Sequence, residues 1–165
     1  MGKDLTEHHA GADTPGVIAR PPFLFLGALL LGVVWDFLLP LPFLVPGTEI
    51  VHWIVGGLLI AGGFALFVAG IRNFTRADTP VPGYQPTRVL VTTGVHGISR
   101  NPIYLGMFMI YVGIGLAAQS AWILLITIPL AITIRYGAVA REEVYLDRRF
   151  GDAYRAYKAR VRRWL

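Results

Sequence analysis

The sequence predicts an all-α polytopic membrane bundle of four transmembrane helices, with a long loop between the second and third and an amphipathic helix at the C-terminus. Three observations carry that expectation. Of the 165 residues 55% are hydrophobic and 15% charged, and the mean hydropathy of +0.56 is too apolar for a water-soluble domain of this size. The apolar residues gather into four blocks, each close to the roughly 20 residues with which a helix crosses about 30 Å of hydrocarbon. The basic residues fall in alternate connections between those blocks, as topology in a membrane requires.

Residues 1–21 are polar and begin no periodic pattern, so they read as a flexible tail. The apolar stretch that follows has no small-residue cleavage signature and is expected to stay attached. The spans are expected at about 22–45, 50–71, 102–118 and 121–140, and with the last segment they form a single domain over 22–165. In the first span Asp36 stands between Trp35 and Phe37, where a carboxylate needs either a buried partner or a place at the outer interface, the latter favoured by Pro40 and Pro42. In the second, Gly57, Ala61, Ala65 and Ala69 recur every four residues and read as a packing stripe. Only two polar residues separate the third and fourth spans, which must therefore form an antiparallel hairpin. In 152–165, Tyr154, Tyr157, Val161 and Trp164 share one face among five basic residues, the pattern of a helix lying on the inner membrane surface or packing within its own domain.

Charge orients the bundle. Arg72, Arg76, Arg88 and Arg100 face a single acid, Asp78, in 72–101, and nine Arg or Lys face four acids in 135–165, whereas connections 46–49 and 119–120 hold no Lys or Arg. Both termini and the central loop are therefore expected in the cytoplasm, with the chemistry on that side. The net charge of +5 is a membrane-lipid signal, because its carriers flank spans, and no nucleic-acid partner is expected. Cysteine is absent and His8, His9, His52 and His96 show no ligand spacing, so no metal site is expected. The oligomeric state is not legible.

The central loop is the most informative stretch. Its Pro-rich first part, 78–86, must be extended or turned, and Asn101-Pro102 has the form of an N-cap followed by proline at the first helical position. A helix starting there presents backbone N–H groups beside His96 and Arg100, either as an anion site or as an ordinary capped span with a basic anchor. At the end of the fourth span stand Arg135, Arg141, Glu142 and Glu143. Arg135 and Glu142 are two turns apart and share a face if the helix is continuous; the acids then point inward, or else form a solvated pair. Donors on one wall and carboxylates on the other suit a zwitterionic ligand.

At these residues the chain resembles the isoprenylcysteine carboxyl methyltransferase and phospholipid methyltransferase-like family of integral-membrane enzymes. The resemblance covers about 78–161. It is carried by Leu90-Val91-Thr92-Thr93-Gly94, Ser99-Arg100-Asn101-Pro102-Ile103-Tyr104-Leu105-Gly106, Gly113-Ile114-Gly115, Glu142-Glu143, and Phe150-Gly151-Asp152-Ala153-Tyr154-Arg155-Ala156-Tyr157. It implies S-adenosylmethionine as cofactor, held by the cytoplasmic loop and the end of the fourth span. His96, Arg100, Asn101, Pro102 and Tyr104 would line it, Gly113 and Gly115 would allow its close approach, and Glu142 and Glu143 would hold its polar groups. Arg135 and Glu142 would lie near the methyl acceptor, a lipid-like or hydrophobic small molecule. The chain departs from many relatives at Val95-His96-Gly97, where they carry a triplet such as Pro-Tyr-Arg, and in its Arg162-Arg163-Trp164-Leu165 finish. Sterol-type reductases using NADPH carry a related motif, but here Gly106 is followed by Met107, which favours the methyltransferase. A non-enzymatic scaffold leaves the loop motif unexplained.

Overall fold

The computed structural model of the chain describes residues 16–17, 20–43, 48–82 and 85–165. These are 75% helical, with no strand among them. The helices are α1 (Pro21–Leu38), α2 (Glu49–Arg76), α3 (Pro102–Ala117), α4 (Ala121–Ile134) and α5 (Ala140–Arg160). A 3₁₀ turn, Gly94–Gly97, precedes α3, and a π-helical segment, Arg135–Val139, joins α4 to α5. Three helical stretches are long and apolar enough to cross a membrane: Pro21–Leu38, Glu49–Arg76 and the continuous Ala121–Arg160. The 16-residue α3 is apolar but shorter, so the four expected spans resolve into three of crossing length and one shorter helix. The expected tail is described only at 16–17 and 20–21, and the end of the first expected span, at 44–45, lies outside the described residues. α1 stops at Leu38, because Pro40 disfavours helical backbone at the residue before it.

Glycines set the α2–α3 contact. A Cβ on Gly56 would lie 2.7 Å from the Gly113 carbonyl oxygen, and one on Gly63 would lie 2.6 Å from that of Gly106. The two helices thus run antiparallel in backbone contact, along a seam in which glycine recurs every seven residues. The every-fourth stripe does not make this seam: a Cβ on Gly57 meets nothing within 4 Å, and Ala61 and Ala65 are exposed. Backbone contact at Gly56 and Gly63 turns the neighbouring stripe about 100° away from α3.

At the end of the bundle away from the long loop, α1 meets the α3–α4 turn. The Ser120 hydroxyl donates to Asp36 and accepts from the Ile123 N–H at 3.0 Å, which caps α4. Trp35 and Trp122 stack beside it with centroids 5.2 Å apart, and the Trp122 indole donates to the Leu39 carbonyl. Asp36 is therefore a half-buried carboxylate with a buried partner, two residues from its helix end. The buried core runs from here along Phe25, Tyr111, Ile123, Leu130 and Ile134 to Val139.

The π segment changes the register of the last helix. Its wider turns accommodate extra residues, so positions seven apart across it no longer share a face. Arg135 is exposed, its guanidinium 5.4 Å from the Tyr136 ring centre, whereas Glu142 is buried. The expected Arg135–Glu142 face is corrected accordingly. Arg141 is also exposed and donates to the Gly16 carbonyl.

α5 bends at Gly151, whose φ of +51° is left-handed and favours glycine. The bend brings Arg155 within 3.1 Å of Asp147, eight residues back, which a straight helix would hold about 12 Å away along its axis. The segment after it is helical only to Arg160, and Tyr154 and Tyr157 are buried against the long loop. The expected 152–165 helix is thus shorter, and its aromatic face packs within the protein because the bend turns it toward the loop.

Candidate active site

The long loop is fastened from both sides. The Thr79 hydroxyl accepts from the Arg88 N–H at 2.7 Å, the Tyr145 hydroxyl accepts from the Thr87 N–H at 2.9 Å, and Arg149 donates to the Thr87 carbonyl. Its 3₁₀ turn begins at Gly94, with φ +59°, where a Cβ would lie 2.6 Å from the Asn73 amide nitrogen. That approach lets Asn73 donate to the Thr93 carbonyl at 2.8 Å and to Nδ1 of His96 at 3.3 Å. An amide nitrogen only donates, so Nδ1 is the bare nitrogen and the proton of the neutral ring sits on Nε2. His96 is buried, packed edge-on against Phe74, and desolvation pushes its pKa down to about 4. Tyr157 donates to its carbonyl at 2.7 Å.

α3 begins at Pro102, as the Asn-Pro pair predicts, but the Asn101 side chain does not cap it. Its amide donates to the Arg163 carbonyl at 3.0 Å, the Ser99 hydroxyl donates to that same carbonyl, and the Arg100 N–H donates to the Arg162 carbonyl. The last five residues therefore cross the start of α3, and Trp164 packs edge-on to Phe108. Of the two readings of this helix start, the structure has neither a side-chain cap nor a second cation in His96, which is neutral, and the C-terminal segment lies across the start while Arg100 lines the cavity beside it.

The two glutamates are buried and differently paired. Glu142 accepts from the Tyr104 hydroxyl at 2.6 Å. Burial raises its pKa most, the Tyr104 hydrogen bond pulls it back and the neighbouring Glu143 charge adds, leaving it at about 7. Glu143 receives the fork of Arg163 at 2.9 and 2.7 Å and lies 3.2 Å from Arg100. Burial raises its pKa, but the Arg163 hydrogen bonds and the charges of Arg100, Arg163 and Lys158 outweigh that, and the net shift is downward. Arg100 also reaches the Tyr154 hydroxyl at 3.4 Å, while its Nε is buried with no hydrogen-bond partner among the described residues.

A cavity of about 180 Å³ collects these groups, with His96, Arg100, Asn101, Pro102, Tyr104 and Glu142 in its wall beside apolar residues of α1, α2 and the loop. A smaller space behind His96 and Arg100 reaches Thr87, Tyr154 and Tyr157. Toward the membrane, Pro22, Phe67 and Met107 are shared with an apolar groove of about 310 Å³ between α1, α2 and α3. Glu143 stands behind Arg100. Gly113 and Gly115 are elsewhere, packed against α2 and against Leu124 and Ile123 of α4, so their smallness serves helix contact. Arg135 is not in the wall.

The sequence matches the phospholipid methyltransferase family over residues 51–153, more than half its length and including the loop, α3 and both glutamates. The chain belongs to the phospholipid methyltransferase family. An uncharacterized protein of Haemophilus influenzae is 42% identical over 65 residues, which cover 38% of this chain and 100% of that protein. No solved structure matches it. Family and apolar helices together make this phospholipid methyltransferase family member an integral membrane protein. Sequence reasoning missed Arg163, which lies beyond the matched region, and Asn73, which holds His96 from α2. Arg163 left a signal in the aromatic-flanked basic finish; Asn73 left only its polarity at the end of an apolar helix.

Proposed function

We propose that the protein transfers a methyl group from S-adenosylmethionine to a lipid-like or hydrophobic acceptor, at a site whose polar end faces the cytoplasm. One observation carries this reading: in a methyltransferase-family chain, a buried carboxyl group near neutrality shares a cavity with a buried arginine, and that cavity adjoins an apolar groove in the membrane part of the bundle. The residues suit the cofactor. The Arg100 guanidinium in the wall is a cation for its carboxylate, Asn101 and the His96 Nε2–H stand alongside, and Glu142 is an acceptor for its ammonium or ribose hydroxyls. Bound there, S-adenosylmethionine would supply an electrophilic methyl on a sulfonium sulfur.

The chain's own work is alignment and proton handling in a dry site. Glu143 holds Arg100 and Arg163 in place, and Tyr104 holds Glu142. An amine or thiol acceptor must shed a proton, which ionised Glu142 takes on a carboxylate oxygen; a carboxylate acceptor needs no base. Arg135 is left out of this chemistry by its position. The apolar groove supports sideways entry of the acceptor from the bilayer.

Calorimetric titration of detergent-purified protein with S-adenosylhomocysteine tests the reading. Saturable binding, weakened by Glu142→Gln and His96→Ala, is expected. Binding of NADPH in its place would turn the assignment to a reductase, and silence with both to a non-enzymatic role.

A further inference from the structure

Asn73 stands in the last turn of α2, and its amide nitrogen reaches two acceptors of the loop, the Thr93 carbonyl at 2.8 Å and Nδ1 of His96 at 3.3 Å. Turning the amide over would set its oxygen against the Thr93 carbonyl, so the nitrogen keeps its place and both of its protons are spent. A proton on Nδ1, in the neutral ring or in the imidazolium, would face an N–H donor and be left unpaired. The ring is held from other sides as well: Phe74 packs edge-on with centroids 4.8 Å apart, and Tyr157 donates to the His96 carbonyl at 2.7 Å. Nε2 differs from Nδ1 in its surroundings. It makes no hydrogen bond among the described residues and still borders open space, although the residue is only 3% exposed. The spaces that His96 lines are the cavity of about 180 Å³ and the smaller one behind it, and Arg100 lines both.

We propose that Asn73 is a positioning residue that commits His96 to donate through Nε2–H to a lone pair of the ligand bound in the cavity, and so removes it from proton acceptance. With Nδ1 already accepting from Asn73 and Nε2 carrying the proton, the ring has no lone pair left for a proton of the methyl acceptor. The inference rests on the methyl-transfer reading of the cavity and divides its chemistry: His96 recognises, and Glu142 is left as the group that takes a proton. A ligand atom carrying its own proton at that point would meet a second donor, so the site selects an unprotonated acceptor there.

The test joins nitrogen NMR of the full-length protein in detergent, its histidine rings isotope-labelled, to calorimetric titration with S-adenosylhomocysteine, both at about pH 9, above the range in which histidine titrates. The His96 resonances are those missing from His96→Ala. Wild type is expected to show a bare Nδ1 and a protonated Nε2. Asn73→Asp puts a carboxylate there, which only accepts, so the proton is expected on Nδ1 and the bare nitrogen at Nε2. Affinity for S-adenosylhomocysteine should then fall by about tenfold or more, because a lone pair replaces the donor facing the ligand. A packing role alone would not reverse the ring nitrogens. If Asn73→Asp does not fold, Asn73→Leu takes its place: Nδ1 loses the hydrogen bond it accepts, and its resonance should move to that of an unbonded nitrogen. A protonated Nδ1 in wild type, ring nitrogens unchanged by the substitution, or reversed nitrogens with undiminished affinity overturns the inference. Absence of nucleoside binding by wild type sinks the methyl-transfer reading and the recognition by His96 with it, whereas the ring nitrogens still decide whether Asn73 sets the tautomer.

Discussion

Glu142 and Glu143 are adjacent in sequence and opposite in character, because one faces a tyrosine and the other two arginines. Glu142, at about pH 7 against 4.5 in an unstructured chain, binds its proton more tightly when folded. Its contribution to stability is therefore complete below pH 4.5 and lost as pH rises through 7, roughly 3 kcal/mol across that window. Wild type is expected to lose thermal stability relative to Glu142→Gln between pH 4.5 and 8, measured by unfolding in detergent. With an amine or thiol acceptor, methylation by wild type should rise with pH around 7, and Glu142→Gln should flatten that rise and slow the reaction by about 10²-fold or more. A pH profile unchanged by the substitution would remove Glu142 from the proton transfer. The sequence showed an acid pair beside a span but not which acid is poised, since that depends on Tyr104 and Arg163, 38 and 20 residues away.

At the scale of elements, the glycine seam and the π segment decide what the site contains. Gly63 and Gly106 bring α2 and α3 so close that each added Cβ would strike the other helix's carbonyl oxygen. Gly63→Leu is expected to force the helices apart and destabilise the bundle by at least about 3 kcal/mol, because backbone cannot yield as a side chain does. Gly57→Leu, with nothing near its Cβ, should be close to neutral. Thermal unfolding of the two variants side by side measures the difference; equal effects would contradict the seam. Helical spacing was visible in both stripes, but which one meets α3 is a question of partner, and the sequence of α2 does not hold the partner. The π segment misdirects periodicity likewise: it looks like ordinary apolar helix, yet it carries Arg135 out of the face of Glu142.

Across the whole molecule, polar chemistry lies at one end of the bundle and the Asp36–Ser120 lock at the other. The distribution of basic residues predicts the chemical end in the cytoplasm. The absence of cysteine makes the test direct, since a single introduced thiol is the only one present. Arg88→Cys should react with an impermeant maleimide only in inverted vesicles, and Leu41→Cys only in intact cells or right-side-out vesicles. The reverse pattern would invert the proposed orientation. The C-terminal segment belongs to this scale too, since residues 161–165 close over the start of α3 and add Arg163 to a site whose other residues lie 20 or more positions earlier in the chain.

The sequence by itself determined the helical membrane class, the apolar blocks, the family and the loop and glutamates around which the site is built. Those follow from composition, run length and local motifs, which act over a few turns of chain. Tertiary structure alone decided that His96 is neutral and bare at Nδ1, that Glu142 rather than Glu143 is poised near neutrality, that Gly113 and Gly115 serve helix contact, and that Arg135 stands outside. Each of those depends on burial and on a partner brought from another element, and neither quantity exists until the helices have packed.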